Sequence, residues 1–303
     1  MPESTASGAA APLGTRYEVS SGRMLLHRSG IGAPPVVFLP GGGMFGLYYW
    51  NAHRLVAEFT TSVLYDRLGL GWSDAANLPR SGTQVTDDLH ELLSAAAVPG
   101  PYVLVGHSLG GLHARLHAKR FPKQVAGLVL LDPTHEDILD YLPAQEARKL
   151  GAWNADDLPA QQREAMRTAY RSAFGRELAD WPDGIREPLL HQAFGGDGFR
   201  QSLREPINVS QLFDEVRAGG PEPDVPQILL SAMGSDAFSD EVMPPQARAS
   251  AAETARAKHR LYTDLAAART RAEVRRLDDV GHSGLATHRP DAVVQAVHDV
   301  LSD

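Results

Sequence analysis

The chain of 303 residues has no cysteine. That excludes a disulfide framework, a thiolate nucleophile and any zinc site built on sulfur, and it suits a reducing compartment. Long hydrophobic runs are also missing. None approaches the ~18 residues that a membrane-spanning helix requires. The opening stretch 1–14 has no basic start and no apolar segment. No secretory signal is expected there, and its small, polar, Pro- and Gly-containing residues read as a disordered leader. Basic charge is scarce relative to acidic: 29 Lys and Arg stand against 37 Asp and Glu, a net charge of −8. That balance disfavours nucleic acid or an anionic membrane as the main partner. Together these absences predict a cytoplasmic protein. What is present, 43% hydrophobic and 22% charged residues, is ordinary for a globular chain with a sizeable core.

Short apolar runs alternate with helical patterns. Tyr17–Val19 and Met24–His27 flank a Ser-Ser-Gly turn and predict an opening hairpin. Val36–Leu39, Ser62–Tyr65, Tyr102–Val105 and Val125–Leu131 read as buried strands. Between them, Val85, Leu89, Leu92 and Ala96 give a helical stripe over 83–97, and Leu112–Phe121 reads as a second helix. The rhythm breaks after Asp132-Pro133. Residues 134–222 carry helical patterns but no convincing strand. There Met166, Ala169, Tyr170, Ala173 and Phe174 recur at helical spacing, with Gly175 placed as a C-terminal cap. Strands return at Gln227–Ser231 and Val274–Leu277, with helices over 245–268 and 290–301. The pattern predicts an α/β fold: a mostly parallel sheet of about eight strands with helices on both faces. Its core is 15–133 with 223–303, and 134–222 is a helical insertion.

The most informative stretch is Gly106-His107-Ser108-Leu109-Gly110, a GxSxG between a strand and a helix. A serine there stands on a tight, strained turn with its hydroxyl projecting from the sheet. Glycine on either side keeps the neighbouring backbone clear, and the helix N-terminus behind it favours developing negative charge. Such a hydroxyl needs a positioned base. Among twelve histidines, His282 stands out, in a Gly-containing turn between the last strand and the final helix. His288 is the runner-up. His107 is expected to point away from the serine. His113 and His117 have the i, i+4 spacing of a zinc pair but lack an adjoining Glu, and no metal is expected.

At these residues the chain resembles the α/β-hydrolase superfamily. PPVVFLPGGG is similar to the strand and oxyanion loop, SVLYDRLGLGWSD to the next strand and its sequel, PYVLVGHSLGG to the nucleophile strand, VAGLVLLDP to the strand after it, and VGHS to the histidine turn. The resemblance covers about two thirds of the chain in the right order, and it makes 134–222 a helical cap. It implies Ser108 as nucleophile and His282 as general base. The acid that orients the imidazole is expected at Asp236, after the strand QILLS, with Asp132 and Asp240 as alternatives. The oxyanion donors are expected at the N–H groups of Leu109 and Gly42, with Gly43 as alternative. Pro40 stands where many members have His.

A serine nucleophile selects acyl chemistry. The expectation is a carboxylic-ester hydrolase, acting on a small hydrophobic acyl substrate, lactone and thioester included. Cleavage of carbon–carbon bonds or of amino-terminal peptide bonds is the alternative within the fold. Met44, Phe45, Tyr48, Tyr49 and Trp50 are candidates to line the substrate pocket, as are Trp153 and Trp181 from the insertion; core packing is the competing role. No cofactor is expected. Two readings of another class stay open. One is a binding protein on an inactive hydrolase scaffold. The other is a dinucleotide-dependent oxidoreductase, because Gly41–Gly46 also satisfies GxGxxG and Asp66 follows 20 residues later.

Overall fold

The computed structural model describes residues 10–149, 155–235 and 237–303. Eight strands form one sheet: β1 (Thr15–Val19), β2 (Gly22–Ser29), β3 (Val36–Leu39), β4 (Ser62–Tyr65), β5 (Tyr102–His107), β6 (Val125–Leu131), β7 (Gln227–Ala232) and β8 (Ala272–Leu277). Their order is β1-β2-β4-β3-β5-β6-β7-β8. The pairs β1–β2 and β2–β4 are antiparallel and all others parallel. β3, β4 and β5 are buried along their whole length, as strands covered by helices on both faces must be. Alternate residues feed opposite layers. Val36 and Phe38 join one apolar cluster, Val37 and Leu39 the other. Each such side chain contributes about 1.5–3 kcal/mol on burial.

Between β6 and β7 there is no strand among the described residues, only helices, the longest being Ala160–Glu177 and Asp183–Phe194. They share a core with the sheet: Phe174, Leu178, Trp181, Leu189 and Phe194 belong to the same cluster as Val36 and Phe38. Gly175 does not end its helix, which runs on to Glu177. The Leu178 N–H donates to the Phe174 carbonyl at 2.9 Å, and both side chains are buried. The turn is thus paid in packing, and a glycine inside a helix costs only about 1 kcal/mol. Residues 1–9 of the expected leader, and Trp153, lie outside the described residues. Residues 10–14 are laid on the core through Ala11 and Leu13. No helix among the described residues is long and apolar enough to cross a membrane.

Candidate active site

The chain runs straight from β5 into the helix Leu109–Arg120, with Ser108 at φ +50°, ψ −119° between them. Holding a non-glycine residue there costs of order 1–3 kcal/mol. The strain persists because the surroundings fix it. The Ser108 N–H donates to the Leu131 carbonyl at 3.1 Å, and its carbonyl accepts the N–H groups of Gly111 (2.9 Å) and Thr134 (3.0 Å). The turn also demands its glycines. A Cβ on Gly110 would sit 2.1 Å from the Leu39 carbonyl oxygen, and one on Gly106 would sit 2.6 Å from that of Gly110. Ser108 therefore stands beyond the C-terminal edge of the sheet. There the neighbours β3 and β5 send their chains in opposite directions, the place where open α/β sheets bind ligands.

Two further residues arrive from distant parts of the chain. His282, in the loop after β8, lies with Nε2 3.0 Å from Ser108 Oγ and Nδ1 2.6 Å from Asp132 Oδ2. Asp132 ends β6, next to β5, and is itself strained, at φ +40°. An ionised carboxylate only accepts hydrogen bonds, so Nδ1 carries the proton and Nε2 is left to accept from the serine hydroxyl. Lys258, from the helix Pro245–Ala267, places Nζ 2.7 Å from Asp132 Oδ2 and 3.0 Å from the Asp132 carbonyl oxygen. Burial pushes the Asp132 carboxyl up. The Lys258 charge and the His282 hydrogen bond outweigh it and hold the group well below the usual carboxylate range. The folded protein favours the charged form. Its contribution to stability is therefore present at neutral pH and lost as pH falls below the ordinary carboxylate range.

The loop after β3 faces Ser108, and its N–H groups can be accounted for one by one. Gly41 donates to Tyr49 Oη (3.0 Å), and Gly43 donates to Glu205 Oε2 (2.6 Å). Gly42 has no protein acceptor among the described residues, and a Cβ on it would meet the Leu109 side chain at 3.4 Å. The Leu109 N–H, first in its helix, is free by position. Arg67 braces the carbonyl side. Its guanidinium donates to the carbonyls of Pro40 (2.6 Å) and Gly41 (2.7 Å) and pairs with Glu205 of the insertion at 2.5 Å. Both partners are almost fully buried. A second brace crosses the elbow. His107 Nε2 donates to the His282 carbonyl (3.0 Å), and His107 Nδ1 accepts from the Tyr49 hydroxyl (2.9 Å). Burial holds the His107 ring neutral, down to about 3.

A family model described as the alpha/beta hydrolase family matches residues 36–296, most of the chain. The chain belongs to that family. An uncharacterized protein of Schizosaccharomyces pombe is 44% identical over 73 residues, 24% of this chain and 14% of that one. The chain spans under half the length of the curated relatives it matches, from 14% to 46% of them. Among solved structures, an enol-lactonase from Burkholderia xenovorans LB400 aligns with a TM-score of 0.63 at 20% identity, covering 95% of this chain and 100% of that one. A thermophilic esterase from Thermogutta terrifontis aligns at 0.58 and 18% identity, covering 95% and 97%. At these identities the likeness is one of fold.

Of the residues expected at the site, the structure brings together Ser108, His282, Leu109, Gly42 and, for the acid, Asp132. Asp236 lies outside the described residues. Asp240 is exposed, accepting from Ser235 Oγ at 3.0 Å and pairing with Arg248. Gly43 spends its N–H on Glu205. His288 pairs with Glu177. His113 and His117 are buried in the helix behind the elbow. Phe45 and Tyr48 are buried. They pack edge-on with each other, with Trp72 and with Phe174, and Trp181 is likewise core. Met44 is half-buried. The dinucleotide pattern is spent on the protein itself, because Asp66 accepts the N–H groups of Gly46 (2.9 Å) and Trp72 (2.8 Å). Lys258 and Glu205 were not legible as site residues, and Tyr49 was legible only as a candidate pocket lining, not as a brace. Each acts through a partner far away in the chain or hidden in an aromatic run, and no local motif marks it.

Proposed function

We propose that this hydrolase cleaves carboxylic esters, lactones among them, through an acyl-enzyme on Ser108. The observation that carries the reading is the single chain of hydrogen bonds Ser108–His282–Asp132, at 3.0 and 2.6 Å, beside the N–H groups of Gly42 and Leu109, which have no acceptor among the described residues. In this reading His282 Nε2 takes the hydroxyl proton as Oγ attacks the acyl carbon. Asp132 holds the ring and its developing charge. The N–H groups of Leu109 and Gly42 receive the oxyanion. Collapse expels the alcohol, which takes the proton from His282. Water, deprotonated by the same nitrogen, then releases the acid and restores the serine. The fold is shared with an enol-lactonase and an esterase, in keeping with acyl transfer.

The test is labelling by a fluorophosphonate together with turnover of nitrophenyl esters and lactones. Wild-type protein is expected to take one label, on Ser108. Ser108→Ala and His282→Ala should each lower kcat by about 10⁶-fold, with the double variant no worse, because groups acting as a unit are not additive. An unlabelled Ser108 in folded protein would refute the reading and favour a binding protein.

A further inference from the structure

We propose that Lys258 is a positioning residue that shares Asp132 with His282 and keeps the imidazole unprotonated to lower pH than an unshared aspartate would. The ammonium stands 3.4 Å from His282 Nδ1 as well as 2.7 Å from Asp132 Oδ2. Nδ1 is already a donor to that same oxygen, so two donors, one of them cationic, divide one acceptor. The other carboxylate oxygen has no second counter-charge among the described residues. Its neighbour is the Tyr262 hydroxyl at 3.5 Å, whose single proton goes to the closer Pro133 carbonyl.

Among the described residues, the titratable and charged groups that face the imidazole come from three elements. Asp132 stands at the end of β6. His107, on β5, is neutral and donates to the His282 backbone. Lys258 comes from its helix, and the adjacent His259 turns away to Ser231 Oγ at 3.1 Å. Among the described residues, one positive and one negative charge thus flank the ring. A proton arriving on Nε2 meets an aspartate half-neutralised by a cation. The imidazolium is favoured less than in a plain pair, and the base stays available further into acid. The lysine also ties the Asp132 carbonyl at 3.0 Å, which helps hold the strained turn. With 12% of its side chain exposed, the ammonium is screened little by salt.

The kinetic arm rests on the proposed role of Ser108 and His282; an NMR arm does not. In the first, kcat/KM for a nitrophenyl ester is followed against pH for wild type, Lys258→Met, Lys258→Gln and Lys258→Arg. The acid limb should move up by about one pH unit in the Met and Gln variants and stay in place in the Arg variant, which keeps the charge. In the second, the imidazole resonances of His282 are titrated in the same proteins without substrate, with the same pattern expected. Lys258→Gln keeps a donor for Asp132 if the Met variant folds poorly. A rate lost equally at all pH values, with no displacement of the limb or of the NMR midpoint, would show a merely structural lysine and overturn the inference. A shifted NMR midpoint in a protein that no fluorophosphonate labels would uphold it while the esterase reading falls.

Discussion

Two adjacent strands end in strained turns, and the two are held in opposite ways. β5 ends at Ser108, at φ +50°, and β6 at Asp132, at φ +40°. The Ser108 turn is kept open by absent side chains close by in the chain, at Gly106 and Gly110. The Asp132 turn is followed by Pro133 and tied by a lysine 126 residues away. Steric requirements of a tight turn are met locally and leave a pattern. Electrostatic requirements are met by whatever the fold delivers, and leave none.

Four substitutions, one of them a control, probe this contrast. Asp132→Asn, nearly isosteric, should leave the fold intact while kcat drops by about 10⁴-fold, the scale expected when the imidazole loses its orienting carboxylate. The paired control, Asp240→Asn, should stay within about twofold, and a reversed pair of results in ester turnover would move the acid to the other strand end. Gly110→Ala attacks the β5 turn instead. Its new methyl meets backbone rather than a movable side chain, so urea denaturation should show a loss of about 3 kcal/mol, at the upper end for overpacking. An alanine accommodated without cost would mean the turn does not need its glycines. The smallest effect is expected from Tyr49→Phe. It strips one partner each from His107 and the Gly41 N–H, for about 1–2 kcal/mol in the same denaturation experiment. Unchanged stability would show that the brace across the elbow carries no weight.

The sheet was readable in advance because each parallel strand, such as VVFL or VLVGH, must be apolar on both faces, and the glycine spacing of the elbow singled out Ser108. The carboxylate was harder. Asp132 and Asp236 both follow apolar strands, and nothing in either neighbourhood ranks them. What favours Asp132 is its 2.6 Å contact with His282 Nδ1, 150 residues away, while Asp236 lies outside the described residues. Such a contact is a long-range property, as is the arrival of Lys258. Phe45 and Tyr48 were ambiguous for a related reason. An aromatic run beside an active-site loop looks the same whether it faces a ligand or Trp72 and Phe174, and only the folded insertion decides.

The bridge from Arg67 to Glu205 constrains how such a protein can change. The carboxylate neutralises a guanidinium sealed from water and also occupies the amide next to Gly42. Removing one member of such a pair costs about 3–5 kcal/mol. A chimera that exchanges the inserted helices for those of another protein must therefore import an acidic side chain at this spot, or replace the arginine as well. The foot of the insertion at Glu205 is inherited together with the loop it touches, and innovation in the roof has to proceed from its other end.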